Sequence, residues 1–189
     1  MDEQRLARAI ARIDEANDAD PRGHERTYGE RMSAALARLV PDAGEPLRIA
    51  VRAQHLERWR IPRDNYPRDR PGYLRWRSEL AKLHAQRASE ILREVGYDDD
   101  EIARVAALIQ KKRLRTDPES QALEDCACVV FLEHELEAFA NEHDDEKIVE
   151  IIRKTWGKMG EAGHREALRL APSLSPRSQA LIGRALAGP

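Results

Sequence analysis

The sequence predicts an all-α protein. Apolar residues recur every three or four positions along most of the chain, helix-start signals stand just ahead of several of those stripes, and no stretch alternates apolar and polar as a half-buried strand does. Leu6, Ile10 and Ile13 form the first stripe. Tyr28, Met32, Ala35, Leu36 and Leu39 form the second, stopped by Pro41. The third holds Leu47, Ala50, Val51, Gln54, His55 and Arg58. The fourth follows Gly72 through Leu80, His84, Ala88, Ile91 and Val95, with Gly96 at its expected C-cap. Asp98 and Glu101 make a capping box for the fifth, which carries Ile102, Val105, Ala106 and Ile109. Asp117-Pro118 opens a helix apolar on nearly every side, from Ala122 to Leu132, which therefore belongs at the centre. Ile148, Ile151, Ile152 and Trp156 mark the next, and Ser175-Pro176 starts the last.

Residues 1–189 read as a single domain, with no repeat and no linker that would split them. A chain of this length buries roughly 70% of its unfolded surface, enough for one core. With 10 Gly and 10 Pro it is neither collagen-like nor of low complexity. No apolar run approaches the ~20 residues of a membrane helix, so no membrane partner is expected. The N-terminal residues lack an apolar signal region, and Cys126 and Cys128, two apart on a helix, cannot pair; both point to a cytoplasmic, reduced protein. Balanced charge, 32 basic against 34 acidic residues, argues against wholesale coating of nucleic acid but leaves room for a local basic patch.

That patch lies at residues 57–77, ERWRIPRDNYPRDRPGYLRWR, where seven arginines oppose three acids. Trp59, Tyr66, Tyr73 and Trp76 lie within it, and Pro62, Pro67 and Pro71 argue for a long ordered loop. Other signals are bland. There is no phosphate-cradling glycine loop and no C-x-x-C pair. Asp98 to Glu101 are spaced as a helix start, not a calcium loop.

Titratable residues fall on apolar faces of three helices. His55 lies in the third stripe and His84 in the fourth, and Asp125 interrupts the most hydrophobic helix. A carboxylate there needs a cation, an arginine or several hydrogen bonds. His24 opens the second helix. A histidine on an apolar face is most often a satisfied core residue, but imidazoles and a carboxylate aimed at one interior point would suit a first-row metal.

Histidine early, histidine ending the apolar run LRIAVRAQH, a third histidine leading HAQRASEILREVGYDDDEIARVAALI, and aspartate in LED together resemble the HD superfamily of metal-dependent phosphohydrolases, over roughly residues 24–135. More narrowly, QHLERW, YPRDRPGYLRWR and LEDCACVVFLEHEL resemble an uncharacterised bacterial and fungal family of unknown function whose members are sometimes labelled glutamyl-tRNA synthetase. Lys158-Met159-Gly160 resembles a synthetase signature loop, but the chain is too short and lacks the α/β nucleotide-binding pattern. The HD resemblance implies an HD-like helical bundle over about residues 20–140 with a C-terminal helical appendage over 144–189. It implies one divalent metal (Mn, Fe, Co, Zn or Mg) held by His24, His55 and Asp125, with His84 as a fourth ligand, and no organic cofactor. Asp125 and His84 would be the catalytic pair. Phosphate would be gripped by Arg58, Arg63, Arg68, Arg70, Lys111 and Lys112, and a base stacked on Trp59, Tyr66 or Trp76. The substrate would be a nucleotide or another phosphorylated small molecule.

The sequence departs from that pattern at two points. Leu56 stands where the family has aspartate, and Gln110-Lys111-Lys112 where some relatives have a further histidine. Two other readings follow: a metal-depleted, non-catalytic module that binds a nucleotide or an RNA end, and, last, an HD-type iron oxygenase. A homodimer is compatible with any of the three.

Overall fold

The computed structural model describes residues 2–114 and 116–187, and among them it contains ten α-helices and no strand. The all-α expectation holds. Helix α1 (Glu3–Asp18) begins where Asp2 accepts the Gln4 and Arg5 amides, and it buries Leu6, Ala9 and Ile13. Helix α2 (His24–Leu39) buries Met32, Ala35 and Leu36. Helix α3 (Glu45–Arg52), with proline in its first turn, buries Leu47, Ile49, Ala50 and Val51. It stops at Arg52, so His55 and Arg58 lie in the turns that follow rather than on a continued helix.

Helix α4 (Arg70–Val95) is the longest and ends on left-handed Gly96, as its sequence predicts. Its start differs from expectation. The long-loop reading of residues 57–77 is too long, because the helix begins at Arg70, two residues ahead of Gly72. Asp69 caps it by accepting the Gly72 amide at 2.7 Å, and Pro71 sits in the first turn, where its missing N–H costs nothing. A Cβ at Gly72 would meet the Pro67 carbonyl oxygen at 2.3 Å, so this entry admits only glycine.

Helix α5 (Asp99–Ile109) carries the expected capping box, and α6 (Pro118–Val130) is the central apolar helix. A π-helical turn, Phe131–Glu135, joins α6 to α7 (Leu136–Asn141). Helices α8 (Asp145–Trp156), α9 (Glu161–Leu170) and α10 (Pro176–Leu186) complete the chain. Helix α4 packs along α1 and α5, α2 lies against α3 and α6, and α8 pairs with α10.

The C-terminal helices are not peripheral. Met159, Ala167, Leu170, Leu181, Ile182 and Ala185 are buried in the same apolar cluster as Leu6 and Ile13, and α9 packs on both α6 and α2. The sequence places the central helix correctly but leaves the short α9 unread. No helix among the described residues is long and apolar enough to cross a membrane.

Candidate functional site

The turn after α3 assembles a buried polar centre. Glu57 takes a left-handed backbone (φ 55°), an unfavourable conformation for a residue with a Cβ. Its amide donates to the Asn17 side chain at 3.0 Å, and its carboxylate accepts from Arg60 at 2.6 Å and Arg87 at 2.9 Å. These contacts hold the turn and send Glu57 away from His55. Leu56 is fully buried, and its carbonyl accepts from His84 Nδ1 at 2.6 Å. Nε2 of His84 is thereby left as the free acceptor.

The His55 ring stacks on Tyr28, with centroids 3.7 Å apart, and lies 6.1 Å from the His84 ring. An Arg58 guanidinium nitrogen sits 2.8 Å from His55 Nε2, and a Glu25 carboxylate oxygen lies 3.4 Å from Nδ1. Among the described residues no carboxylate oxygen lies within 4.0 Å of Arg58; its other partner is the Trp76 ring, 4.9 Å away.

Electrostatics follow from burial and from crowded cations. Burial and the Arg58 charge hold His55 well below the ordinary imidazole value, and burial lowers His84 to about 4. Both rings are neutral at pH 7. Burial raises Glu25 to about 7 against the opposing pull of Arg58, and it raises Glu135 at the rim. Burial also lowers Arg58 itself. Glu124 is buried, but Lys111, bonded to it, more than offsets that cost and keeps it below its ordinary value. Lys111 has a left-handed backbone (φ 51°), so both non-glycine residues with positive φ among the described residues border this centre.

The four expected metal ligands do not converge. His55 and His84 meet, but His24 is exposed, and the residue of α2 that faces the rings is its neighbour Glu25. Adjacent helix positions lie ~100° apart, so a shift of one residue changes the face. Glu25 shares the apolar stripe of Tyr28 and Met32, a signal the sequence does contain. On α6 the same shift occurs, with Glu124 meeting Lys111 while Asp125 serves the fold. Asp125 accepts the Gly160 amide at 2.8 Å and Gln121 Nε2 at 2.9 Å, which ties the start of α9 to α6. A Cβ at Gly163 would come within 2.8 Å of its Cγ. The several-hydrogen-bond solution to a buried carboxylate is the one found here.

The donor set that would hold a divalent ion is only partly assembled. Among the described residues no three His, Cys, Asp or Glu side chains group to hold one, and the Arg58 guanidinium already stands against His55 Nε2.

The expected phosphate grip is only partly assembled. Lys111 reaches the centre, whereas Lys112 is exposed. Arg63 instead staples the loop, donating to the Tyr66 and Pro67 carbonyls at 2.9 and 2.8 Å. Arg68 pairs with Asp64 at 2.8 Å, and Arg70 is exposed at the start of α4. Tyr66 donates its hydroxyl to Glu79. Trp76 is buried, donates to the Ile61 carbonyl at 2.8 Å, and has Arg58 and Arg63 over its ring; no base can stack there. Trp59 is half-buried in the turn beside Arg58.

Arg77 was not singled out beforehand, yet its charge bears on His55, His84, Arg58 and Glu124. A shallow cleft elsewhere, beside α1, is lined by charges already satisfied, Arg12 with Glu94 and Arg87 with Glu57, each pair 2.9 Å apart.

Comparison with curated proteins and with solved structures finds no match. A family profile described as a domain of unknown function, DUF4202, matches residues 7–182, nearly the whole chain, and the protein belongs to that family.

Proposed function

We propose that the protein binds a phosphorylated small molecule at the His55–Arg58 centre, as a holding site that works without a metal ion. The observation behind this reading is Arg58: a largely buried guanidinium with no carboxylate partner, set against a neutral histidine. Burying an unpaired charge is costly, and an incoming phosphate supplies the missing anion with geometry suited to a guanidinium. His55 and His84 are kept neutral, so the positive charge that meets the ligand here is that of Arg58. Arg77 and Lys111 extend the positive field, and Glu25 can hold a proton at neutral pH so that it does not repel the ligand.

In this reading the chain supplies its own cation at the imidazole where an HD enzyme has an ion. Leu56 in place of the HD aspartate agrees with that. A second reading, metal-dependent phosphate hydrolysis, draws support from His84: its Nδ1–H is fixed by a backbone carbonyl, as in metal-ligating histidines, leaving Nε2 presented. Thermal shift separates the two. The expected result is stabilisation by pyrophosphate or AMP in chelator, lost in Arg58→Met. Metal co-purifying at one equivalent, with phosphate release on adding manganese, would reverse the order of the two readings.

A further inference from the structure

The first two turns of α4 carry a surface stripe that meets this centre only at Arg77. Arg70, Tyr73, Leu74 and Arg77 fall at i, i+3, i+4 and i+7, so they share one helix face about 10 Å long. The stripe inverts the usual pattern. Tyr73 is 45% and Leu74 56% exposed, while Trp76 and Leu80 take the buried side. The Asp69 cap and the close approach at Gly72 fix these turns, and Arg63 staples the loop ahead of them.

Charge on the stripe is unanswered. Among the described residues no carboxylate lies within 4.0 Å of Arg70, Arg75 or Arg77; exposed Arg8 and Arg22 are also without one, while Arg12, Arg26 and Arg184 each hold one, so it is the clustering beside an exposed ring that sets the stripe apart. The stripe thus sets the Tyr73 ring, tilted against Trp76 at 5.9 Å and with Arg63 6.0 Å from its centroid, between the Arg70 and Arg77 guanidinium groups; unlike the buried Trp76 ring, it is 45% exposed and keeps a face open to solvent. Flat apolar faces and repeated anions along one flexible chain are the features of a single-stranded nucleic acid, and stacking together with backbone charge is how such strands are held. An acidic peptide would answer the arginines but would leave the ring without a stacking partner.

We propose that the stripe Arg70–Tyr73–Leu74–Arg77 docks single-stranded nucleic acid. At its Arg77 end the strand's terminal phosphate reaches the Arg58 centre; that clause alone rests on the function proposed above. The test is fluorescence anisotropy with short single strands, bearing either a 5′-hydroxyl or a 5′-phosphate, on the full-length protein. Tyr73→Ser is expected to weaken binding roughly tenfold. The double variant Arg70→Gln with Arg77→Gln should lower the dependence on salt by about one and a half log units per log unit. Circular dichroism checks that the variants fold; if Tyr73→Ser unfolds, Leu74→Ser replaces it and should also weaken binding. The proposal is overturned by no binding up to about 100 μM, the weak end for non-specific sites, by unchanged affinity in a folded Tyr73→Ser, or by polyglutamate or phosphatidylserine vesicles displacing the strand as well as another strand does. If strands bind equally with and without the 5′-phosphate, and Arg58→Met matches wild type, the Arg58 reading fails while the stripe stands.

Discussion

Arg52 and Arg58 lie close together in the chain and are both withdrawn from water, yet they are treated oppositely. Arg52 closes α3 and meets both oxygens of Asp14 at 2.6 and 2.7 Å, with Ser33 beside it at 3.4 Å. Arg58 touches only an uncharged imidazole and an indole face, with Glu25 and Glu135 acting on it from beyond contact distance. A buried arginine with a complete set of partners serves the fold. One that lacks its anion is costly to the free protein, and that cost is recovered when an anion arrives. The difference separates the structural half of this polar interior from the half available for binding.

Removing Arg52 should have the largest effect on stability. Arg52→Met leaves the buried Asp14 with only Arg26, 4.0 Å away, in place of a two-pronged partner, and a loss of about 3 kcal/mol is expected in urea unfolding. A loss below 1 kcal/mol would erase the contrast drawn between the two arginines.

Glu25 comes next, and its effect depends on pH. Its carboxyl is raised from the ordinary 4.5 to about 7, so the folded protein keeps a proton that the unfolded chain releases. That contribution is full below pH 4.5 and is lost as pH rises through about 7, a swing of up to about 3 kcal/mol. Glu25→Gln should therefore match wild type in acid and exceed it above neutrality. His84 works in the opposite sense: with its value lowered from 6.5 to about 4, its stabilisation is present above 6.5 and fades as pH falls toward 4. Unfolding midpoints across this range test both signs. Identical pH profiles for Glu25→Gln and wild type would show that the carboxyl is not raised.

The Asp125 latch should respond more moderately. Gly163→Ala drives a methyl into the Asp125 carboxyl group and should cost about 1–3 kcal/mol without touching ligand binding. Altered affinity in that variant would place Asp125 back in the binding centre. The smallest stability effect belongs to Arg58→Met, within about 1 kcal/mol of wild type or more stable, since it replaces an unpaired buried charge with an apolar chain of similar length.

The helices were legible because apolar spacing and capping residues act locally. Asp98 with Glu101, Asp117-Pro118 and Gly96 all do in the structure what they signal in the sequence. The start of α4 was misjudged because three prolines read as a broken segment, although Pro71 sits where a helix tolerates it. Helix α9 was missed because its buried side consists largely of Gly163, Glu166 and Ala167.

At the centre, His55 and His84 were found as histidines on apolar stripes. Glu25 and Glu124 were passed over for neighbours one residue away. On α2 the stripe through Tyr28 and Met32 distinguishes them, but α6 is buried nearly all round and its periodicity carries no such information. The left-handed turn at Glu57, which places Arg58 against His55, depends on Asn17 forty residues upstream in the chain, and no local pattern announces it.

The claim that Arg58 is held ready for an anion is tested most directly by calorimetric titration of pyrophosphate into wild type and Arg58→Met, with chelator present. The account predicts saturable binding to the wild type and at least a tenfold loss in a variant that remains fully folded. Equal affinity in the two proteins, or binding that appears only after a divalent metal is added, would contradict it.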